Sequence, residues 1–219
     1  MAHRHFLLHK PYGYLSQFVS DDARESRKKR FLGELYDFPA GTMAVGRLDE
    51  ASEGLLLLTT DGVLSERVRS RGVEKQYYAQ VDGRLTDEAL VRLREGVEIG
   101  LRDVKYTTAP CQAQRLAAAP DLPPRSRPIR DERHGPTSWV SITLTEGKFR
   151  QIRKMTAAVG FPTLRLVRVR VGSLQLLDLP PGAVREVAGF GLSAPGNAAA
   201  PEFVDNAAAG AAEVLVPSP

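Results

Sequence analysis

The sequence is poor in cysteine and in long apolar runs, and each scarcity excludes a class of protein. Its one cysteine, Cys111, has no second cysteine with which to form an internal disulfide or a zinc site. The apolar run Leu55 to Leu58 is far too short to span a membrane. No apolar signal region follows the N-terminal Met-Ala-His-Arg-His. We therefore expect a cytoplasmic protein.

Histidine is also scarce and is not arranged for metal binding. His3, His5 and His9 lie near the N-terminus, and His134 stands alone. None of these spacings is typical of a metal site, so we expect no metal ligand among them.

The charge is distributed unevenly along the chain. The formal net charge is +4, but residues 190–219 contain three acidic residues and no Lys or Arg, so the preceding residues carry +7. A basic body suits a polyanionic partner such as nucleic acid, although a basic enzyme without such a partner has the same composition. The same C-terminal residues are rich in Ala, Pro and Gly. We predict one folded domain over 1–189 and a disordered tail over 190–219.

Hydrophobic periodicity predicts an α+β fold built on a mixed, mainly antiparallel sheet with flanking helices. Thr86 is a good N-cap for a helix that contains Leu90 and Leu93. The apolar parity of a late strand changes between Leu166 and Val167, which predicts a bulge there. The predicted strands are 6–9, 43–45, 55–59, 75–81, 139–144 and 164–171, and the predicted helices are 63–70, 86–96 and 149–159.

Two segments carry many basic residues without a clear periodic pattern. Residues 112–136, rich in Pro, Ala and Arg, are predicted to form a long surface loop, of a kind that is usually functional or disordered. The run Arg24 to Arg30 holds five basic residues around one Glu. It either contacts nucleic acid or is a solvated segment.

The stretch from Gly46 to Gly62 is the most informative in the chain, with the sequence Gly-Arg-Leu-Asp-Glu-Ala-Ser-Glu-Gly-Leu-Leu-Leu-Leu-Thr-Thr-Asp-Gly. It places an acidic loop between two predicted strands. An ionised Asp49, favoured by the neighbouring cation Arg47, can act as a nucleophile or a base. Taken by spacing alone, a polar connecting loop is the simpler interpretation.

This stretch resembles the catalytic loop of the pseudouridine synthases, in the branch that contains RsuA, RluB, RluE and RluF. That loop has a Gly-Arg-Leu-Asp core, a Ser-x-Gly-Leu-Leu segment and a closing Asp-Gly, all of which are present, whereas Thr60 replaces the usual Asn. Three more segments agree in the same order. They are Lys10-Pro11-Tyr12-Gly13, Lys75-Gln76-Tyr77 and Glu146-Gly147-Lys148-Phe149-Arg150-Gln151-Ile152-Arg153-Lys154-Met155.

The resemblance covers residues 5 to about 187 and implies the pseudouridine synthase fold with a central catalytic cleft. The chain starts at the catalytic body, so we expect no N-terminal S4 domain. The segment Pro128 to Trp139 is most similar to that of the RluE branch, which modifies a single uridine of 23S ribosomal RNA. The implied partner is therefore 23S rRNA, in its peptidyl-transferase domain, and the implied state is a monomer.

The resemblance also implies a site. Asp49 is the catalytic carboxylate, either attacking C1′ or removing the C2′ proton; Tyr77 stacks on the extruded uracil, and Arg153 pairs with Asp49. The reaction is a redox-neutral isomerisation, so no cofactor is expected. The residues expected to contact RNA are Arg47, Arg150, Lys154, Lys10 and Lys75, of which Arg150 and Lys154 are placed on the helical face of Arg153.

Two other functions fit the same residues. A carboxylate-based glycosidase or RNA glycosylase would use Asp49 and Glu53 as its acid and base and would release a free base or sugar. A non-catalytic RNA-binding protein that assists ribosome assembly would bind rRNA without needing Asp49. An Asp-Tyr-Arg set argues against the second function, because a pure binder has no use for it.

Overall fold

A computed structural model describes residues 2–70, 72–102, 104–129 and 132–192. The predictions that concern Arg130, Asp131 and the tail beyond residue 192 lie outside the described residues. Within the described ranges the strands are β1 (His5–Lys10), β2 (Met43–Ala44), β3 (Glu53–Thr59), β4 (Lys75–Asp82), β5 (Glu98–Leu101), β6 (Val104–Thr107), β7 (Gln112–Arg115), β8 (Thr137–Leu144), β9 (Thr163–Val171), β10 (Leu174–Gln175) and β11 (Val184–Val187). The helices are α1 (Ala23–Lys28), α2 (Gly62–Ser70), α3 (Asp87–Glu95) and α4 (Gln151–Ala158).

Nine of these strands form one mixed sheet. Its order is β11-β1-β3-β9-β4-β8-β7, with β2 added to β3 and β10 added to β9, while β5 and β6 form a separate hairpin. The β3–β9 pair is parallel, and the other strand pairs are antiparallel. The predicted α+β class with a mainly antiparallel sheet is confirmed.

The leucine run of β3 is buried on both faces of the sheet. Leu55 and Leu57 pack in one cluster with Val68 of α2, whereas Leu56 and Leu58 pack in another with Phe6 of β1. A strand covered on both sides needs apolar side chains at consecutive positions rather than in alternation. A third cluster joins α3 and α4 to β4, β8 and β9.

Gly54 allows β3 and β9 to approach closely. Its φ is +105°, and a Cβ built there would lie 2.3 Å from the carbonyl oxygen of Arg168. Gly54 and Arg168 are also register partners in the parallel pair. Only glycine therefore fits where the strand that follows Asp49 meets the strand that follows α4.

The predicted loop over 112–136 is wrong at its start, because Gln112–Arg115 pair with β8. Ala113 is the one buried residue of that edge strand, so its sequence lacks apolar alternation. The bulge predicted between Leu166 and Val167 is also wrong. Leu166 and Val167 are both apolar because they pack in clusters on opposite faces of the sheet. The register with β4 shifts instead at Leu164 and at Val169.

The structure adds detail to two predictions, the one for the basic run Arg24 to Arg30 and the one for the domain boundary at residue 189. The basic run forms the short helix α1, which buries none of its residues. The packed body extends past the predicted boundary at 189, since Phe190 is 2% exposed and its ring lies 5.3 Å from that of His5. In the described part of the chain, no helix has the length and apolar character needed to cross a bilayer.

Candidate active site

The turn that carries Asp49 leads into β3 at the edge of a cleft. Ser16 holds this turn, because its hydroxyl donates to the carbonyl of Leu48 at 2.7 Å and accepts from the Leu48 amide at 2.9 Å. The cleft is closed on the other side by the end of β8 and the start of α4. Its lining includes Arg47, Asp49, Tyr77, Glu146, Lys148 and Arg150.

Asp49 faces two guanidinium groups. Its Oδ2 lies 3.4 Å from Nη1 of Arg150 and 3.6 Å from Nε of Arg153. The Asp49 side chain is 23% exposed, so a substrate can reach it, while that of Arg153 is only 11% exposed. The protein thus holds two cations beside a carboxylate that a substrate can reach.

Arg153 is fixed by more than Asp49. Its Nη2 donates to the carbonyl of Ala51 at 2.9 Å and to the hydroxyl of Ser52 at 3.1 Å, so one side chain binds three groups of the Asp49 turn. Burial lowers the pKa of Arg153, and the charge of Asp49 opposes that shift. Its buried Nε makes no hydrogen bond with a described residue. The salt-bridge partner of that Nε is Oδ2 of Asp49, at 3.6 Å.

Tyr77 stands on β4 and lines the same cleft. It is partly buried and packs against two apolar clusters, the one that contains α3 and α4 and the one that contains Phe6. Its neighbours across the strands are Ile142 of β8 and Arg168 of β9. The structure thus brings together Asp49, Tyr77 and Arg153, which are far apart in the sequence.

Of the residues predicted to contact RNA, the structure places some in the cleft and others outside it. Arg47 and Arg150 line the cleft and are exposed. Lys154 and Lys75 are not among the cleft's lining residues; their ammonium groups donate to the carbonyls of Gly100 at 2.6 Å and Thr145 at 3.1 Å. Arg150 does not share a helical face with Lys154, because it is the N-cap of α4 with a left-handed φ of +53°.

The prediction that Lys10 contacts RNA is contradicted. Lys10 is 0% exposed, and its ammonium donates to the carbonyls of Tyr14 at 2.7 Å, Pro11 at 3.0 Å and Glu50 at 3.4 Å. An ammonium has three N–H donors, so none remains for a phosphate. Burial lowers the pKa of Lys10 to about 7. Its role is to join the Lys-Pro-Tyr-Gly turn to the turn that carries Asp49.

Sequence reasoning missed a carboxylate that supports the start of α4. Glu146 accepts hydrogen bonds from the Tyr106 hydroxyl, from Nε2 of Gln151 at 2.5 Å and from the Ala109 amide at 3.2 Å. Burial by itself raises the pKa of Glu146, but these hydrogen bonds bring the pKa below its usual value. Glu146 thereby ties α4 to the β5–β6 hairpin. Its place in the Glu-Gly-Lys motif was the available signal.

A second missed pair lies behind the Asp49 turn. Arg165 of β9 makes two parallel bonds to Glu53, Nε to Oε1 at 3.1 Å and Nη2 to Oε2 at 2.8 Å. The two side chains are 9% and 4% exposed. Glu53 is therefore held as a structural carboxylate away from solvent. Among the described residues, no group of three His, Cys, Asp or Glu side chains is placed to hold a metal ion.

Comparison with known proteins agrees with this geometry. A family model for RNA pseudouridylate synthases matches residues 4–158. The chain is 46% identical over 177 residues to a Xanthomonas axonopodis pv. citri protein named ribosomal large subunit pseudouridine synthase E, covering 80% of this chain and 89% of that relative. A Vibrio parahaemolyticus protein of the same name is 40% identical over 185 residues, covering 83% and 72%.

One solved structure, described as the crystal structure of a pseudouridylate synthase, is similar along most of the chain. The two share a TM-score of 0.65 and 27% sequence identity, over 85% of this chain and 70% of the other. Fold, cleft residues and sequence relatives agree, and the chain belongs to the RNA pseudouridylate synthase family.

Proposed function

We propose that this enzyme converts one uridine of large-subunit ribosomal RNA, in the peptidyl-transferase domain, into pseudouridine, with Asp49 as its catalytic carboxylate. The observation that supports it most directly is the pairing of a partly exposed Asp49 with the buried Arg153, whose other donors hold the Asp49 turn. The relatives named for large-subunit modification support the choice of RNA.

The reaction exchanges one glycosidic bond for another. The N1–C1′ bond breaks, the uracil turns, and a C5–C1′ bond forms; the proton on C5 is lost and N1 gains one. No electron donor or extra atom is consumed. A carboxylate form of Asp49 serves whether it attacks C1′ or removes the C2′ proton, and Arg153 orients it.

The target base leaves its stack to reach Asp49. Tyr77 offers an aromatic face on which the free uracil is held while it turns. Arg47 and Arg150 are exposed at the mouth of the cleft, where they bind the phosphates on either side of the extruded nucleotide. The protein's contribution is thus to place a charged carboxylate, an aromatic surface and phosphate-binding cations around one nucleotide.

The structure offers no second carboxylate to a glycosylase mechanism among the described residues that line the cleft. A two-carboxylate mechanism needs both groups to reach the scissile bond. Glu53 is 3% exposed and has both oxygens bound to Arg165, so it does not face substrate. Glu146 lines the cleft, but Tyr106, Gln151 and Ala109 already donate to its two oxygens. Among the lining residues that the structure describes, Asp49 is therefore the carboxylate left to act on substrate.

The proposal is tested by pseudouridine mapping. Unmodified large-subunit rRNA is incubated with the wild-type protein and with Asp49→Asn, and carbodiimide-dependent primer-extension stops are compared. One new stop with the wild type that is absent with Asp49→Asn supports the proposal. RNA binding without a stop on large-subunit rRNA, small-subunit rRNA or tRNA would instead favour an assembly factor. Release of free uracil would favour a glycosylase.

A further inference from the structure

Two basic segments that are remote in sequence meet around Tyr12. Arg125 places its guanidinium carbon 4.1 Å from the centre of the Tyr12 ring, and Nη1 of Arg127 donates to the Tyr12 hydroxyl at 3.4 Å. On the α1 side, Lys29 reaches the same turn, because its ammonium contacts the carboxylate of Glu50, whose carbonyl accepts from the amide of Gly13. We name Lys29, Tyr12, Arg125 and Arg127 the Tyr12 strip.

The strip borders the Asp49 turn. The Gly13 amide, next to Tyr12, donates to the carbonyl of Glu50 at 2.9 Å, and Lys29 Nζ lies 2.7 Å from the Glu50 carboxylate. Glu50 directly follows Asp49. The strip therefore lies beside the catalytic carboxylate, on the side of the Lys-Pro-Tyr-Gly turn.

The strip also borders Arg153. Arg125 Nη1 donates to the carbonyl of Leu164, and Arg153 Nη1 donates to the adjacent carbonyl of Thr163, each at 3.4 Å. The charge of Arg125 accordingly acts on Arg153. Two guanidinium groups on neighbouring carbonyls extend the positive charge from Arg153, beside Asp49, to Tyr12.

The loop that carries Arg125 is anchored. The carbonyl of Pro123 accepts from Nη2 of Arg165 at 2.8 Å, so the loop is bound to the buried Arg165–Glu53 pair. Leu122 packs against an apolar cluster of the sheet. The position of Arg125 is thus set by the same pair that supports the Asp49 turn.

Of the three cations of the strip, only Lys29 has a carboxylate partner among the described residues. Arg125 and Arg127 form no salt bridge with a described residue and donate only to carbonyls and to Tyr12. Glu50 pairs with Lys29. Arg127 is exposed. Guanidinium groups that lie beside an aromatic ring, with no carboxylate partner among the described residues, fit an RNA strand, whose phosphates and bases they bind by charge and by stacking.

We propose that the Tyr12 strip binds the RNA strand next to the extruded uridine, with Arg125 and Arg127 on its phosphates. This inference rests on the proposed function, since it concerns the same RNA. Lys29 is shared: RNA phosphate competes with the Glu50 carboxylate for its ammonium. The strip would then select substrates that present a strand on the Tyr12 side of the cleft.

The first experiment measures the equilibrium binding of transcribed, unmodified large-subunit rRNA as a function of salt concentration. Arg127→Ala is expected to weaken binding about fivefold, as for one exposed ionic contact. The triple variant Lys29→Ala, Arg125→Ala, Arg127→Ala is expected to reduce the slope of log K against log salt by about 2, at roughly 0.7 for each phosphate contact on a single strand. The loss in turnover should appear in KM rather than in kcat.

The matched control is Arg69→Ala. Arg69 is an exposed arginine of α2, which follows the opposite end of β3 from Asp49, and it pairs with Glu66. Its loss removes the same charge and is expected to leave the affinity and the salt slope unchanged. If the triple variant keeps the wild-type slope, or if Arg69→Ala reduces the slope equally, the strip is not an RNA contact. Thermal unfolding of each variant separates lost binding from lost folding.

The shared Lys29 gives a test of opposite sign. Glu50→Gln frees Lys29 and is expected to tighten RNA binding about twofold to threefold, whereas Lys29→Ala weakens it. The double variant should bind like Lys29→Ala alone, because Glu50 acts through Lys29. Weaker binding by Glu50→Gln would overturn the inference that RNA phosphate competes with Glu50 for Lys29. The affinity and salt-slope readings come from binding alone, so they stand apart from the mapping experiment, whose failure would remove the proposed function itself.

Discussion

Arg153 holds Asp49 through a planar, multiply donating group, and this geometry predicts the result of a substitution that keeps the charge. Lysine at this position cannot reach Asp49, the Ala51 carbonyl and the Ser52 hydroxyl together, because its donors share one nitrogen. We expect Arg153→Lys to lower kcat at saturating RNA by about 100-fold or more.

The matched control for this prediction is Arg150→Lys. Arg150 makes one contact with Asp49 at 3.4 Å and its side chain is 42% exposed, so the change should lower kcat much less and act mainly on KM. Single-turnover kinetics on unmodified rRNA measures both variants. Equal losses in kcat would mean that Arg153 has no special role in holding Asp49.

The burial of Lys10 predicts how stability depends on pH. In the folded protein the pKa of Lys10 is about 7, whereas in the unfolded chain it returns to its ordinary value of 10.5, so the unfolded chain holds more protons between these values. The free energy of unfolding that belongs to Lys10 therefore rises with pH over this window, by up to about 1.4 kcal/mol per pH unit.

Urea unfolding of the wild type and of Lys10→Met at pH 7, 8 and 9 measures this dependence. Methionine keeps the length of the side chain without its charge, and other titrations cancel in the difference between the two proteins. The wild type should gain stability relative to the variant as pH rises. Parallel curves would show that Lys10 stays protonated throughout, held by its three carbonyl partners.

Among single side chains, the sequence motif was sufficient to bring three together: Asp49 and Tyr77 line one cleft, and Arg153 pairs with Asp49. It was not sufficient for Lys10, because a lysine beside a Pro-Tyr-Gly turn has the same local sequence whether it points to solvent or inward. The pairing of Glu53 with Arg165 was hidden for a different reason. It depends on the β3–β9 contact, which joins segments 112 residues apart.

Strands β3 and β9 depend on the missing side chain of Gly54. Gly54→Ala forces a Cβ into the backbone of Arg168 at a φ of +105°, and we expect it to lower the free energy of unfolding by about 3 kcal/mol or more. Gly100→Ala is the matched control, since a Cβ at that position would have no heavy atom within 4 Å and its φ is not positive. Denaturant unfolding of both variants distinguishes a steric effect from a general loss of glycine.

Most helices and central strands could be predicted because their signals are local. Thr86 accepts from the Ala89 amide and α3 ends before Gly96, as its capping pattern indicated. The edge strand β7 and the β5–β6 hairpin were missed, since polar edge strands are stabilised by a neighbour's backbone rather than by their own apolar pattern. Long-range pairing, not propensity, decides such segments.

At the scale of the entire chain, the burial of Phe190 predicts where the C-terminus can be shortened without loss of stability. A chain that ends after Leu192 keeps every contact that the described residues make with one another, and the composition of the tail predicts disorder, so we expect its unfolding midpoint and its activity to match the full chain. A chain that ends after Gly189 loses the buried Phe190 and should be less stable by about 3 to 5 kcal/mol. Thermal unfolding of both proteins checks this, and equal stability would show that Phe190 contributes little to the core.

The pairing of the first strand of the sheet with the last has a consequence for the synthesis of the enzyme. Strand β1 pairs with both β3 and β11, and Leu8 lies opposite Val184. Arg150 and Asp49 are 101 positions apart. A nascent chain thus exposes Asp49 long before its guanidinium partners leave the ribosome, and β1 lacks one neighbour until β11 has been synthesised. The site and the sheet are therefore incomplete while these segments are being made, and we expect activity to begin only after β11 has been synthesised.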